Sequence, residues 1–349
     1  MKTNTFYYLL LGSILLVFGA GSCKNFANHF NTENHASNDF TVAFYNTENL
    51  FDTVDDPKTI DEEFTPESQK QWTEERYQTK INHLADVFAA MDVDLPDLIG
   101  LAEIENRKVL DDLNHATPMK SIDYSIVQKN SFDPRGIDVA LLYNPQKFEL
   151  LQADFIRPKS FQGKAMSTRD ILHATLKTNG ETIHVFVNHW PSRGGDFEEK
   201  RKKRHAVANR LKNEVDKVKE QDANANIIIM GDFNDYPTNS SIDKILEAGV
   251  TEDDELYNLM WNLEAADKGS YCYKKDWGCL DQFIVSKNFV EDDKDLIIDE
   301  TQVVIFQKPW MMYTNKKGES YPSRTYSHNK YYGGYSDHLP IFMTVRQAG

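Results

Sequence analysis

Ile227-Ile228-Ile229-Met230-Gly231-Asp232-Phe233-Asn234 is an apolar run that ends abruptly at a glycine and a carboxylate. Four apolar residues in a row, with a turn signal directly after them, read as a short strand buried on both faces. Such a strand gives Asp232 a rigid base, and Asn234 follows two residues later on the same side. Gly, Asp and Asn are also ordinary turn formers, so the motif alone admits a plain β-turn as readily as a site.

The same arrangement recurs outward from this run. Phe40–Asn46 ends in Asn46, Leu98–Glu103 ends in Glu103, and Ile183–Val187 leads into Asn188 and His189. Asp281 precedes the run Gln282–Val285, and Asp337-His338 precede Ile341–Val345. With Ile137–Tyr143 these segments read as short buried strands. A strand that ends in a carboxylate or an imidazole aims it at the rim of the sheet, where open α/β sheets place ligands. Between them, Glu75–Met91 has helical spacing through Ile81, Leu84, Val87 and Phe88. Phe197–Val218 has it through Val207, Leu211, Val215 and Val218. Mixed elements over one continuous stretch predict a layered α/β or α+β domain. Asp52–Gln71, acidic and with two prolines, reads as a surface loop. Lys308–Tyr332 reads as a long loop of the kind that borders a site.

Ser336-Asp337-His338-Leu339-Pro340-Ile341 pairs a carboxylate with an imidazole, which fixes the ring's tautomer and raises its basicity; a capping Asp beside a surface His is the bland alternative. Val187-Asn188-His189-Trp190-Pro191-Ser192-Arg193 places His189 after a strand, with Ser192 and Arg193 ready to contact phosphate. Glu103 closes an apolar run, where a lone carboxylate is costly without a cation or a donor. Oxygen ligands plus two His suit a hard cation: Mg²⁺, with Mn²⁺ or Ca²⁺ as alternatives.

The order Asn46, Glu103, His189, Asp232-x-Asn234, Asp281, Asp337-His338 resembles the endonuclease/exonuclease/phosphatase superfamily. The phrases Asn188–Arg193, Leu280–Ser286 and Tyr335–Pro340 are similar to its extracellular-nuclease branch, and the resemblance covers about residues 40–346. It implies a four-layered α/β sandwich, two mixed β-sheets flanked by helices, with a divalent-metal site at the open rim. By the same resemblance Glu103 is the principal metal ligand, with Asn46 close to the metal or phosphate. Asp232 orients or deprotonates the attacking water, and Asn234 bonds the scissile phosphate. Asp281 is a carboxylate near a catalytic His. His338 stabilises charge on the phosphorane and is held by Asp337, which joins the metal set. His189 is the general acid. Arg135 contacts phosphate, buttressed by Asp138.

Across 349 residues the formal charge is −15, which counts against a protein that coats nucleic acid and less against an enzyme that visits phosphodiesters, because a bound cation reverses the local field. At the N-terminus, Lys2, the apolar run Phe6–Phe18 and the small residues 19–22 read as a signal peptide over 1–22. Small residues directly before Cys23 resemble the lipobox of bacterial lipoproteins. The expectation is a lipidated Cys23, a flexible tether over 23–38, a catalytic domain over 39–349, and an extracytoplasmic location at the periplasmic face or cell surface, with the membrane contacted through the lipid. An ordinary signal peptide with Cys23 incidental is the alternative. In an exported chain Cys272 and Cys279 admit either a small-loop disulfide or two reduced thiols.

The expected activity is a nuclease with DNA or RNA as a transient partner; no protein partner is predicted. Arg201, Lys202, Lys203 and Arg204 are placed to meet a flanking phosphate or to form a solvated helix face. Tyr271, Tyr273 and Trp277 offer stacking surfaces for bases or simple packing. A lipid or small-molecule phosphoesterase on the same scaffold is the runner-up, with Pro309–Tyr313 as an apolar patch that dips into a bilayer or plugs the core. A catalytically dead binding module is disfavoured, because every expected polar position holds a competent residue.

Overall fold

The structure is a computed structural model that describes residues 38–347, except 92–93, 161–162, 252–253 and 292–294. The signal peptide over 1–22, Cys23 and the tether up to residue 37 lie outside the described residues.

Two large sheets form the centre. The first contains β1 (Phe40–Leu50), β2 (Leu98–Ile104), β3 (Ser125–Gln128), β4 (Asp138–Tyr143), β14 (Leu296–Ile298) and β20 (Ile341–Gln347), in the order β14-β20-β1-β2-β4-β3, with β15 (Val304–Ile305) also on β20. The second contains β5 (Glu149–Ile156), β6 (Ile171–Thr178), β7 (Glu181–His189), β8 (Asn226–Asp232), β9 (Ala248–Gly249), β10 (Leu256–Asn258) and β13 (Asp281–Ser286), in the order β5-β6-β7-β8-β13-β10-β9. Both are mixed: β1 with β2 and β7 with β8 run parallel, while β2 with β4 and β8 with β13 run antiparallel. Three two-stranded hairpins complete the set: β11 (Tyr271–Tyr273) with β12 (Asp276–Gly278), β16 (Met312–Thr314) with β17 (Ser320–Pro322), and β18 (Tyr326–Ser327) with β19 (Lys330–Tyr331).

The period-2 alternation of each strand divides the core into three layers. Val42 and Phe44 of β1 face Ile228 and Met230 of β8 between the sheets. Ala43 and Tyr45 turn the other way, against Ile81, Leu84 and Phe88 of α1 (Glu74–Ala89) and Leu110 of α2 (Arg107–His115). Ile227 and Ile229 turn outward onto Val207, Leu211 and Val215 of α3 (Phe197–Gln221). Helices, sheet, sheet and helix make four layers, the α/β sandwich that the resemblance implies.

Gly231 is required by a close approach. It lies opposite Asn188 in the parallel pair of β7 and β8, and a Cβ there would collide with the Asn188 carbonyl oxygen. The expected result for Gly231→Ala is a destabilisation of about 3 kcal/mol, since backbone cannot rotate away as a side chain does. It would be read as a lower urea midpoint at unchanged slope. An unchanged midpoint would show that the two strands are free to part.

One expectation needs correction and two open alternatives are decided. Cys272 and Cys279 are both free. Cys279 is buried and its thiol donates to the Lys268 carbonyl oxygen at 3.3 Å, while Cys272 lies on β11 opposite Trp277. Lys308–Tyr332 is not an irregular loop, because two hairpins order most of it. The basic run 201–204 does not act as a unit. Arg201 and Lys203 pair with Glu198 and Glu199 on the surface of α3, but Arg204 is buried against Asp235, with Nε to Oδ2 at 2.8 Å. The strands β5 and β6 carry no continuous apolar run, since β5 is an edge strand with most positions at least partly exposed.

Candidate functional site

The site lies where β1, β2, β7, β8 and β13 reach the same rim. Register sets its geometry: β7 and β8 place His189 opposite Asp232, and β8 and β13 place Asp232 opposite Asp281. The first sheet supplies Asn46 and Glu103 through two adjacent irregularities. The pairing of β1 with β2 slips between Asn46 and Leu50, and that of β2 with β4 slips between Ala102 and Ile104. Glu48, Asn49, Glu103 and Asn234 all have positive φ, from 50° to 63°. Non-glycine residues held in this region cost energy, and such strain clusters at functional sites.

Asp232 is the hub. It is buried, its Oδ1 accepts the Asn234 N–H at 2.8 Å, and its Oδ2 accepts from Asn46 Nδ2 at 3.0 Å. The same Oδ2 lies 3.6 Å from His189 Nε2 and 3.9 Å from His338 Nε2. Burial raises the proton affinity of Asp232 and the Asp281 charge adds to it, against the opposing pull of His338. His338 Nδ1 meets Asp281 Oδ2 at 2.7 Å. Burial alone would strip the proton from His338, but the Asp281 carboxylate outweighs burial and holds its pKa well above the ordinary value. That pull favours the imidazolium form of His338. His189 is the opposite case: burial, reinforced by Arg169, Arg135 and His338, holds its pKa well below the ordinary value. Arg169 fixes the His189 segment by donating to the carbonyls of His189 at 3.2 Å and Trp190 at 2.5 Å. Asn234 Nδ2 also donates to the Trp190 carbonyl, at 3.1 Å.

Glu103 faces the mouth. Its Oε2 accepts the Asn49 N–H at 2.9 Å, while Oε1 lies 3.8 Å from Arg135 Nη2 and 3.9 Å from His189 Nε2. Both groups stand beyond hydrogen-bonding distance, which leaves that oxygen open to a ligand. Asp281 Oδ1 is buried without a hydrogen-bond partner among the described residues. An open carboxylate oxygen such as Glu103 Oε1 is the kind of donor that suits a hard divalent cation. Asp232, Asp281 and His338 also offer ligand atoms within 4.8 Å of one another. Within that trio His338 already spends Nδ1 on Asp281 and keeps its proton on the other nitrogen, so the trio is better suited to proton handling than to caging an ion.

Four expectations are redirected. Asp337 does not hold His338: its Oδ2 pairs with Arg324 Nη2 at 2.7 Å, and Asp281 takes the place at His338. Arg135 is approached by Asp133 at 3.8 Å, whereas Asp138 accepts the Ser131 N–H at 2.8 Å. The guanidinium of Arg193 lies over the Tyr236 ring at 4.2 Å, and its Nη2 donates to Asn239 Oδ1 at 3.4 Å, so the 236–239 turn holds it. Ser192 is exposed, and its carbonyl accepts from Arg204 at 3.5 Å.

Sequence reasoning passed over a buried layer behind the site. Glu48 accepts the N–H groups of Thr325 at 2.6 Å and Tyr326 at 3.3 Å. Lys80 of α1 is buried and donates to Thr325 Oγ1 at 2.7 Å and to the Tyr335 carbonyl at 2.5 Å. Burial pushes Glu48 up to about 7 and Lys80 down to about 8. Glu48 carried a usable signal, since it follows Asn46 at strand spacing. Lys80 carried none, because a lysine on an amphipathic helix reads as solvated.

The family model described as Endonuclease/Exonuclease/phosphatase family matches residues 41–347. A comparison with curated proteins finds no match. Among solved structures, an endonuclease/exonuclease/phosphatase family protein from Bacteroides thetaiotaomicron superposes with a TM-score of 0.57 at 16% identity, covering 89% of this chain and 95% of its own. D. rerio TDP2 complexed with single strand DNA product gives 0.54 at 13%, covering 88% and 99%. A Bacteroides thetaiotaomicron mannosyl-6-phosphatase gives 0.55 at 15%, covering 88% and 99%. At these identities the likeness is one of fold.

Proposed function

The chain belongs to the Endonuclease/Exonuclease/phosphatase family, and from that premise we propose that it is a divalent-metal-dependent phosphodiesterase that cleaves nucleic acid outside the cytoplasm. The observation that carries the chemistry is the buried Asp232, His338 and Asp281 series, set opposite Glu103 and His189 on one rim. Asp232, oriented by two N–H donors and raised in basicity by burial, is placed to take the proton of an attacking water. His338 offers a fixed positive charge to the oxygens of the phosphate as they gain charge, and needs no reorganisation to do so. His189 is the candidate acid for the leaving oxygen. Burial and the nearby cations hold its pKa low, and an arriving phosphate anion offsets the cations. A cation held by Glu103, with Asn46 beside it, supplies Lewis-acid charge at the phosphate when bound. The location outside the cytoplasm, on a lipid at Cys23, is supported by the N-terminal pattern Lys2, Phe6–Phe18 and Gly19–Cys23.

A second reading is a small-molecule phosphoesterase. The likeness to a mannosyl-6-phosphatase, as close in fold as that to TDP2, favours it. One experiment separates the two: incubation with Mg²⁺, Mn²⁺ or Ca²⁺ and, in parallel, supercoiled plasmid, single-stranded RNA, sphingomyelin vesicles and mannose 6-phosphate. Nicking or RNA cleavage that EDTA abolishes is the expected result. Phosphate release from the small substrates alone would replace nucleic acid with them and keep the site.

A further inference from the structure

We propose that the β11–β12 and β16–β17 hairpins form a cationic, aromatic lobe beside the site that grips the single-stranded nucleic acid flanking the scissile phosphate. The inference rests on the nucleic-acid reading above and deepens it by assigning where the polymer lies. The β11–β12 hairpin is tied directly to the centre: the Tyr271 ring lies 4.8 Å from that of His338, and the two residues form a β-bridge. Lys275 of this hairpin pairs with Glu319 of the second at 2.7 Å, which places the two side by side.

Charge singles the lobe out. The chain carries −15, yet the two hairpins, residues 271–278 and 312–322, contain Lys274, Lys275, Lys316 and Lys317 against Asp276 and Glu319. Glu319 is already engaged by Lys275, Asn315 and Tyr321. Lys274, Lys316 and Lys317 are exposed. The tip of the first hairpin adds an independent observation. Tyr273 pairs with Asp276, so Lys274 and Lys275 alone make the turn, at φ of 50° and 82°. A two-residue turn with both φ positive is built at least cost from Asn and Gly. Two lysines held there carry strain that a turn alone does not require, and strain of this kind points to a role for the side chains. Aromatic rings lie among the charges: Tyr273, Tyr313 and Trp310 are 57%, 52% and 41% exposed. Lysines that meet phosphates, interleaved with rings that stack on bases, are the features that hold single strands without sequence preference.

The test uses the full chain with Lys274→Gln, Lys316→Gln and Lys317→Gln combined, and separately Tyr273→Ala. None of these residues belongs to the centre. Turnover is measured on a single-stranded oligonucleotide and on bis(p-nitrophenyl) phosphate, which is too small to reach the lobe. The triple variant should raise KM for the oligonucleotide about tenfold and leave hydrolysis of the small diester unchanged. Binding of a labelled oligonucleotide in EDTA, on a His338→Ala background, should lose about 2 from the slope of log affinity against log salt, at about 0.7 per lysine. Tyr273→Ala should weaken binding about tenfold at an unchanged slope. Unchanged oligonucleotide KM and affinity would overturn the proposal, even where the wild type cleaves the oligonucleotide and the nuclease reading stands. Loss of binding to phosphatidylserine vesicles with oligonucleotide binding intact would also overturn it and assign the lobe to a membrane surface. Failure of the nuclease reading looks different: the wild type hydrolyses the small diester and cleaves no oligonucleotide.

Discussion

His338→Ala is expected to lower phosphodiester turnover by about 10³-fold while the protein stays folded. The loss has two parts. The imidazolium that faces Asp232 from 3.9 Å disappears, and with it the fixed positive charge offered to the transition state; removal of one such group costs about 10²–10³-fold. Asp232 also loses the neighbouring cation that lowers its proton affinity, so a smaller fraction is ionised and free to take the proton of water. Asp281→Asn separates these parts. It keeps the shape beside Nδ1 but removes the charge that outweighs burial. The imidazolium exists only below the pKa of His338, so lowering that pKa moves the alkaline limb of the kcat/KM profile to lower pH. A melting curve like that of the wild type guards against unfolding. Fully active, folded His338→Ala would remove this residue from the centre.

Glu103→Gln carries the second large effect. The amide oxygen can still accept the Asn49 N–H, so the bulge at residues 47–49 retains its anchor. What is lost is the negative charge at Oε1, which faces the mouth between Arg135 and His189. Affinity for Mn²⁺, followed by calorimetry without substrate, is expected to fall at least tenfold, and turnover at saturating metal about 10²–10³-fold. The calorimetric readout also discriminates between sites. If Glu103→Gln binds Mn²⁺ as the wild type does and Asp281→Asn does not, the cation belongs to Asp232, Asp281 and His338, and the role given to Glu103 is wrong.

The residues of the centre were legible in the sequence because each terminates an apolar run. Glu103, His189, Asp232 and Asp281 lie at or next to strand ends, and Asn46 where the pairing of β1 with β2 slips; both are visible as a change from apolar to polar residues. His338 was found by the same signal. Partnerships were much less legible. Asp337 adjoins His338 in the chain, and adjacency suggested that it held the ring. The chain bends at Asp337, whose carboxylate pairs with Arg324, and the place at His338 is filled by Asp281, 57 residues distant. Arg204 shows the same limit. Within a basic run it reads like its neighbours, yet the helical period turns it inward onto Asp235.

The sequence by itself determined the layered α/β class, the strands that carry the site, and the oxygen-rich chemistry of their ends, because these follow from local periodicity and residue type. Only the tertiary structure decided which imidazole favours the charged form. His189 and His338 both follow or precede buried strands, and nothing local tells them apart. One is surrounded by Arg169, Arg135 and the other imidazole, and the other by Asp281 and Asp232. Proton affinity inside a protein is set by the charges packed around a group, and here those charges come from strands far apart in the chain. The cationic lobe was decided the same way: its lysines and aromatic rings lie on two separate hairpins, and only the Lys275–Glu319 pair and the contact of Tyr271 with His338 bring them beside the site.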